Sequence, residues 1–194
     1  MRRGLAAAWA GVALTWTASL AFAETPAPES PQARQEAEKL NALPPVAPRG
    51  KSVTDHSGRK EKGRASFYAH SFTHKKMANG GRFNPTDNVA ASKTLPLGTT
   101  AKVVNTENGK EATVRVEDRG PFIDGRVVDV SPKVADDLDM KKQGSAPVVV
   151  KPVAVPQPDG GVKLGAGAAD ATPTEVRQAT QTAKRLTGDT RVDK

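Results

Sequence analysis

Between Gly63 and Val153, a series of short strand-like runs each ends in a loop that carries a carboxylate, an amide or a hydroxyl. The residues of interest in or beside these loops are Tyr68, Asn79, Ser92, Asp118, Arg119, Arg126 and Asp129. A carboxylate can donate and accept protons, amides and hydroxyls can bind sugar hydroxyls, and a tyrosine at a strand end is suited to stacking on a sugar face. The arrangement favours a small β-barrel that presents a polar groove to a long polar ligand.

The runs that must position these loops alternate apolar and polar residues with the period of a strand. The predicted strands cover residues 65–69, 100–105, 111–118, 126–130 and 147–153. Asn108 and Gly109, which both tolerate positive φ, predict a hairpin turn between the second and third strands. Ser131 and Pro132 predict the start of one helix that runs to about Met140. Many short strands with one short helix predict a mainly all-β fold, a closed or partly closed barrel.

Four motifs occur in order within this segment. They are Met-Ala-Asn-Gly-Gly-Arg-Phe at 77–83, Val-Ala-Ala-Ser-Lys-Thr-Leu-Pro at 89–96, Asp-Arg-Gly-Pro-Phe at 118–122 and Arg-Val-Val-Asp-Val-Ser at 126–131. Together they resemble the rare lipoprotein A family of bacterial cell-wall proteins. The resemblance implies a six-stranded double-psi β-barrel, an architecture shared with expansins and family 45 endoglucanases. It also implies the activity of the family's characterised members. These are endolytic lytic transglycosylases that cleave peptide-free glycan strands of peptidoglycan to 1,6-anhydro products, often at the division septum.

Position by position, the resemblance keeps two aspartates and loses two other groups. Gly81 lies where the family has a Glu that is taken as catalytic, and Ser92 lies where it has a His. Asp118 matches a functional residue of the family, and Asp129 resembles the acid of a motif in expansins and the related endoglucanases. The resemblance therefore implies that Asp118 and Asp129 are the catalytic residues. It implies that the substrate-binding residues are Tyr68, Asn79, Ser92, Arg119 and Arg126.

The chemistry indicates what the two replacements change. A lytic transglycosylase protonates the glycosidic oxygen and then assists attack by the sugar's own 6-hydroxyl, so one acid that later serves as base can suffice. Ser92 can hydrogen-bond but cannot carry a proton near neutral pH as His can. General acid–base assistance is worth about 100- to 10,000-fold in rate. The sequence thus predicts a carbon–oxygen lyase on peptidoglycan with weakened or lost activity; the alternative is a non-catalytic, expansin-like glycan-binding barrel.

Structural roles remain open for the same side chains. Asp118 could cap a turn at the end of its strand. Asp129 could brace the helix entry at Ser131 or pair with Arg126. Tyr68 could belong to the core rather than to a ligand site.

The N-terminus has the pattern of an export signal. Arg2 and Arg3 precede the apolar run 5–22, which closes on a small-x-small cleavage pattern at 21–23. A membrane-spanning anchor is the alternative, since about 20 apolar residues would just span a bilayer. We predict a signal peptide at 1–23. Because the chain has no Cys to carry a lipid, we expect an exported, periplasmic protein without a membrane anchor after cleavage.

Composition predicts one domain between two poorly ordered flanks. The predicted parts are a Pro-rich linker at 24–62, the double-psi β-barrel domain at 63–153 and a disordered or weakly helical tail at 154–194. The formal charge of +8 suits an acidic wall polymer, so the predicted partners are peptidoglycan glycan strands. The basic residues lack interleaved aromatics, so we expect no nucleic acid, and we expect a monomer. His70 and His74 share a loop without zinc-type spacing, so no metal and no cofactor are expected.

Overall fold

The structure, a computed structural model, describes residues 30–46 and 53–189. The predicted signal peptide lies outside the described residues, as do parts of the predicted linker and residues 190–194. Within the described part, the strands are β1 (Glu61–Phe67), β2 (Val89–Ser92), β3 (Thr100–Asn105), β4 (Glu111–Asp118), β5 (Arg126–Val130), β6 (Ser145–Pro156) and β7 (Val162–Leu164). The helices there are α1 (Pro31–Ala42), α2 (Pro132–Asp137) and α3 (Pro173–Asp189), with 3-10 turns at His70–Phe72 and Ala166–Ala168.

The sheet closes on itself to form a barrel. Its strand order is β1-β5-β2-β4-β3-β6, and β6 pairs back onto β1, while β7 adds to the far end of β6. The pairs β1–β5 and β2–β4 are parallel, and the other neighbours are antiparallel. The predicted six-stranded β-barrel is therefore confirmed, as a closed barrel of mixed strand direction.

Alternation along the strands builds the barrel core. In β4, Ala112, Val114 and Val116 are buried while Thr113 and Arg115 are exposed, which is the period expected of a strand with one face on a core. β2 is missing from the predicted strands because all four of its residues are buried and small. A strand of that kind shows no alternation and cannot be recognised by periodicity.

Helix α2 begins where the sequence predicts. The Ser131 Oγ accepts a hydrogen bond from the N–H of Val134 at 3.3 Å, and Pro132 lies in the first turn. The helix ends at Asp137. The turn that follows carries Leu138 and Met140 into the barrel core, so the predicted apolar face continues past the helix itself.

The flanks of the barrel are more ordered than the sequence predicts. α3 contributes Val176, Ala179 and Ala183 to a second apolar cluster that also holds Val153 and Leu164. α1, which lies inside the predicted linker, packs two alanines on the same cluster. The poorly ordered flanks expected from composition are instead packed on the barrel over α1, β7 and α3; some helix in the tail was expected, but its burial was not. A stripe of alanine at helical spacing buries a face without large apolar residues, and composition alone does not distinguish it from a solvated segment.

Candidate functional site

Asp118 and Asp129 lie on the same rung of the barrel. Ala91 of β2 pairs with Asp118 of β4 on one side and with Asp129 of β5 on the other. Neighbouring strands lie about 4.8 Å apart, so the two aspartate backbones are about 10 Å apart with only one alanine between them. A register shift between Ala90 and Ala91 marks a bulge at this point, and bulges commonly re-aim side chains beside functional sites. The fold thus brings together two carboxylates from strands that are separated in sequence.

Asp118 is held by three hydrogen-bond donors. The Tyr68 hydroxyl donates to Oδ2 at 2.8 Å. The backbone N–H groups of Ala78 and Arg119 each donate to Oδ1 at 2.9 Å. Both oxygens of the carboxylate therefore have a partner, and one partner comes from the first motif loop. The carboxylate does more than cap its own turn, because it joins three segments of the chain.

The Tyr68 hydroxyl lies under the influence of both aspartates. Burial raises its pKa far above the ordinary value of 10.0, and the hydrogen bond to Asp118 with the charges of Asp118 and Asp129 raises it further. The Tyr68 ring packs on Phe83 with centroids 4.5 Å apart and meets Phe72 edge-on at 5.5 Å. Tyr68 is therefore both a wall of the small apolar cluster beneath the loop and a fixed donor to the site.

Asp129 belongs to a second polar group beside the first. It accepts hydrogen bonds from the Arg126 guanidinium and from the Ser66 hydroxyl. Ser66 is its pairing partner across β1 and β5, so strand register alone places the two side chains together. Of the structural roles that the sequence left open for Asp129, the pairing with Arg126 is the one observed. The cap of α2 is made by Ser131.

The first motif loop is fastened to the end of β4 by Asn79. Its backbone N–H donates to the carbonyl of Glu117 at 3.0 Å, and its Nδ2 donates to Glu117 Oε2 at 3.2 Å. Its Oδ1 accepts the N–H of Gly81 at 2.9 Å, which closes a tight turn with the Met77 N–H bonded to the Gly81 carbonyl at 2.8 Å. Asn79, Gly80 and Gly81 are exposed, so the predicted ligand-binding amide reaches the surface.

Gly81 leaves room for a side chain. A Cβ built there would lie 3.2 Å from Asn79 Oδ1 and 3.6 Å from Met77 Cε, and Gly81 does not adopt a left-handed φ, unlike Gly80 with φ +90°. A larger residue at position 81 therefore needs only a small shift of the Asn79 amide and no change of the backbone region. The turn at position 81 therefore accepts a side chain.

Ser92 is buried rather than exposed at the surface of the site. The residue is 1% exposed, and its Oγ accepts the N–H groups of Thr94 at 3.3 Å and Leu95 at 3.1 Å. The hydroxyl closes its own turn, so the expected contact of the Ser92 side chain with a ligand does not fit this geometry.

Arg119 ties the same turn to the Asp118 loop. Its guanidinium donates to the carbonyls of Ser92 at 3.1 Å and Leu95 at 2.5 Å. Burial lowers its pKa and the charge of Asp118 opposes that change. Arg119 was predicted as a substrate-binding residue; its hydrogen bonds place it between two motif loops, where it sets their spacing.

The residue pattern did not point to Glu117 or to three exposed apolar side chains in the neighbouring loops, Phe72, Phe122 and Ile123. Glu117 is buried at 8% exposure and accepts the Arg115 Nε at 2.7 Å as well as the Asn79 amide. A charged residue that breaks the alternation of β4 was the signal available for it. Phe122 and Ile123 are 76% and 55% exposed in the loop after Asp118, and Phe72 is 44% exposed on the other side of Tyr68. Single large apolar residues in loops produce no periodic pattern, so periodicity could not identify these three as exposed.

Residues 30–46 and 53–189 contain neither a candidate metal-binding cluster nor a membrane-spanning helix. No group of three or more His, Cys, Asp and Glu side chains there could hold a metal ion. No helix there is both long and apolar enough to cross a membrane.

A closed mixed barrel with two aspartates on one rung defines the class of domain, and comparison with known proteins identifies it. Residues 60–150 match the domain family described as "Lytic transglycolase". The resemblance to the rare lipoprotein A family is thereby confirmed over these residues, which are similar to that domain and make up slightly less than half of the chain.

Curated relatives named endolytic peptidoglycan transglycosylase RlpA match the same region. The protein from Helicobacter pylori is 45% identical over 91 residues, which are 47% of this chain and 29% of that protein. The protein from Vibrio cholerae is 40% identical over 113 residues, 57% of this chain and 43% of that protein. The protein from Rickettsia felis is 44% identical over 108 residues, 53% of this chain and 47% of that protein. The chain thus spans less than half the length of each of these relatives.

Solved structures give weaker likenesses. A Streptomyces papain inhibitor matches with a TM-score of 0.40 and 22% identity over 48% of this chain and 94% of that chain. An expansin from Clavibacter michiganensis matches with a TM-score of 0.38 and 19% identity over 48% of this chain and 50% of that chain. Likenesses of this size carry no functional argument.

Proposed function

We propose that this protein binds the glycan strands of peptidoglycan in the groove above Tyr68, Asp118 and Asp129, and that it cleaves them slowly by lytic transglycosylation. The observation that carries the proposal is the shared rung of Asp118 and Asp129 within a domain of this family. The names of the relatives, endolytic peptidoglycan transglycosylases, support it. Such a substrate fits a monomeric, exported protein of the cell envelope, in the periplasm and at the division septum.

Asp118 is the residue that we assign to proton transfer. In this reaction the glycosidic oxygen must receive a proton and the 6-hydroxyl must lose one. Both oxygens of Asp118 already accept hydrogen bonds, and the Tyr68 hydroxyl occupies one of the two acceptor positions of Oδ2. Asp118 is therefore better arranged as a base, or as a negative charge beside the developing positive charge of the sugar ring, than as an acid.

Position 81 is where the acid is missing. The turn around Gly81 is exposed and closed by Asn79, and it belongs to the loop whose Ala78 N–H donates to the Asp118 carboxylate. Without a carboxyl group there, protonation of the leaving oxygen has no dedicated donor. We expect the bond-breaking step to be slower by about 100- to 10,000-fold than in a domain that carries one.

The remaining residues have supporting roles in this proposal. Asp129 adds negative charge on the same rung and holds Arg126 in place. Asn79 offers its exposed amide edge to sugar hydroxyls, and Tyr68 holds Asp118. Arg126 lies at the rim of the groove, where its guanidinium can meet an acidic group of the strand.

Binding without cleavage is the second candidate function. The observation that favours it is that both oxygens of Asp118 and the Oδ1 of Asp129 already accept hydrogen bonds from protein groups. In this case the groove would recognise the strand and leave it intact.

The test is incubation of the purified protein with peptide-free glycan strands, with binding measured and 1,6-anhydro ends counted by mass spectrometry. We expect the wild type to bind and to form product slowly, and Asp118→Asn to bind but form none. Asp124→Asn, a change of an exposed carboxylate in the following loop, is the matched control and should behave as wild type. Product from Asp118→Asn at the wild-type rate would contradict the assignment. Binding without product in every variant would favour the second candidate.

A further inference from the structure

The segment that precedes Phe83, residues 70–82, carries a concentration of positive charge at the rim of the site. We call this segment the basic hairpin. It contains Lys75, Lys76 and Arg82 together with two histidines, and it contains no Asp or Glu. The side chains of all five are exposed. A cluster of charged side chains is often only a solvated surface. Whether this cluster can bind a ligand depends on whether its cations already have carboxylate partners and on whether its backbone is ordered.

The cations of the basic hairpin have no carboxylate partner among the residues that the structure describes. Seven other basic side chains in that part of the chain form ion pairs. These pairs are Lys102–Glu111, Lys110–Asp139, Arg115–Glu117, Arg126–Asp129, Lys133–Asp137, Lys141–Asp136 and Lys151–Asp170. By contrast, the Lys75 Nζ lies 5.1 Å from the centroid of the Phe72 ring, and the Arg82 guanidinium donates to the backbone carbonyl of His74 at 3.0 Å. The positive charge at this rim is therefore not neutralised within the described protein.

The backbone that carries these cations is already ordered. The His74 N–H donates to the Phe83 carbonyl and the Phe83 N–H donates to the Lys75 carbonyl, both at 2.8 Å. The backbones of Lys76 and Arg82 pair in an isolated antiparallel β-bridge across the hairpin. In its turn, the hairpin is bonded to Asp118 through the Ala78 N–H at 2.9 Å. A surface that is ordered before binding loses less conformational freedom on association.

An exposed aromatic ring accompanies the charge. Phe72 is 44% exposed, lies beneath Lys75 and meets Tyr68 edge-on with centroids 5.5 Å apart. Since Tyr68 donates to Asp118, the ring and the cations continue the face on which the two aspartates lie. An apolar ring face beside ammonium groups suits a ligand that presents both sugar rings and anionic groups.

We propose that the basic hairpin binds carboxylate groups carried by a wall glycan, so that the charge of the strand, and not only its sugar rings, sets the affinity. This inference rests on the proposed function, because it places the same strand in the same groove. The carboxylates could be the lactyl groups of a bare strand or those of attached peptides. In either case the aspartates at the centre of the groove face the sugar, and the lysines at the rim face the acids.

The test compares the full chain with Lys75→Gln/Lys76→Gln in equilibrium binding to three strands. These are peptide-free strands, the same strands with their lactyl carboxylates converted to amides, and peptide-bearing strands. Lys39→Gln/Lys142→Gln is the matched control, because it removes two exposed lysines that have no ion pair in the described part of the chain. Circular dichroism verifies that each variant is folded.

We expect the hairpin variant to bind carboxylate-bearing strands about five- to tenfold more weakly than wild type, the combined effect of two exposed charge interactions. The control should change by less than about twofold. On amidated strands the wild type should lose its advantage over the hairpin variant, and on acidic strands the advantage should shrink at high salt. If the ratio of wild-type to hairpin-variant affinity is greater on bare strands, the lactyl groups supply the bound carboxylates. If that ratio is greater on peptide-bearing strands, the peptides supply them.

Equal wild-type affinity for acidic and amidated strands would overturn this inference and leave the proposed function standing. An equal loss of affinity in the hairpin variant and in the control would also overturn it, because the effect would then follow total charge. If the wild type bound none of the three strands, the proposed function and this inference would both fail.

Discussion

The contact between Tyr68 and Asp118 is the residue-scale feature on which the site depends, and it can be observed directly. Tyr68 is the only tyrosine of the chain, so every phenolate signal comes from this residue. Its pKa is raised in the folded protein by burial first, and then by the hydrogen bond to Asp118 and the charges of Asp118 and Asp129. The folded state therefore holds the phenolic proton more tightly than the unfolded chain does.

We predict that phenolate absorbance will not appear near pH 10 in the folded protein and will appear there in the chain unfolded by denaturant. Because the folded-state pKa is raised, the stability that this group contributes is fully present below pH 10 and is lost as the pH rises above it. In Asp118→Asn the phenolate should appear at lower pH than in wild type but still above its unfolded value, since burial remains. A folded wild-type protein that titrates like the unfolded chain would show that Tyr68 is not held in this contact.

At the scale of elements, the sequence predicted the strands whose residues alternate between apolar and polar types or end in turn signals, and missed those that show neither. β3, β4 and β5 alternate or carry turn signals at their ends, so their bounds could be read from the residues. β2 is buried on both faces, and β7 has only three residues, so neither produces a period. Helix α3 lies in the tail that was expected to be disordered or weakly helical, and its packing was missed because its apolar stripe consists mostly of small residues.

The packing of α3 gives an element-scale prediction. Val176 is 0% exposed and sits in the second apolar cluster, so Val176→Ala removes two buried methyl groups and should lower the free energy of unfolding by about 2 kcal/mol. Gln181→Ala, an exposed change on the same helix, is the matched control and should shift it by less than about 0.5 kcal/mol. Denaturant unfolding monitored by circular dichroism measures both. An unchanged midpoint in Val176→Ala would mean that α3 does not pack on the barrel as described.

At the scale of the whole molecule, the site results from strand register, which the sequence does not display. The motifs identified the aspartates, but only the pairing of Ala91 with both of them places the two on one rung. The burial of Ser92 and the hydrogen bonds of Glu117 likewise depend on which loops meet in space. Residue types therefore gave the candidate members of the site, and topology decides which of them lie together.

The proposed function attributes slow cleavage to a missing carboxyl group, so the account as a whole depends on position 81. Gly81→Glu should fold, because a Cβ there meets only the Asn79 side chain and the Met77 terminus at 3.2 Å or more. Ser92 is best left unchanged in this variant. An imidazole ring at that buried position would disrupt the turn that the Ser92 hydroxyl closes.

The most direct measurement is the rate of 1,6-anhydro product formation from peptide-free glycan strands by wild type, Gly81→Glu and Gly81→Gln. We predict that Gly81→Glu raises the rate at least about 100-fold, the lower bound for a restored general acid. Gly81→Gln, which has the same size and no transferable proton, should remain at the wild-type level, and all three should bind the strands equally. A folded Gly81→Glu protein that binds the strands and cleaves them no faster than Gly81→Gln would contradict the claim that a missing acid limits this protein.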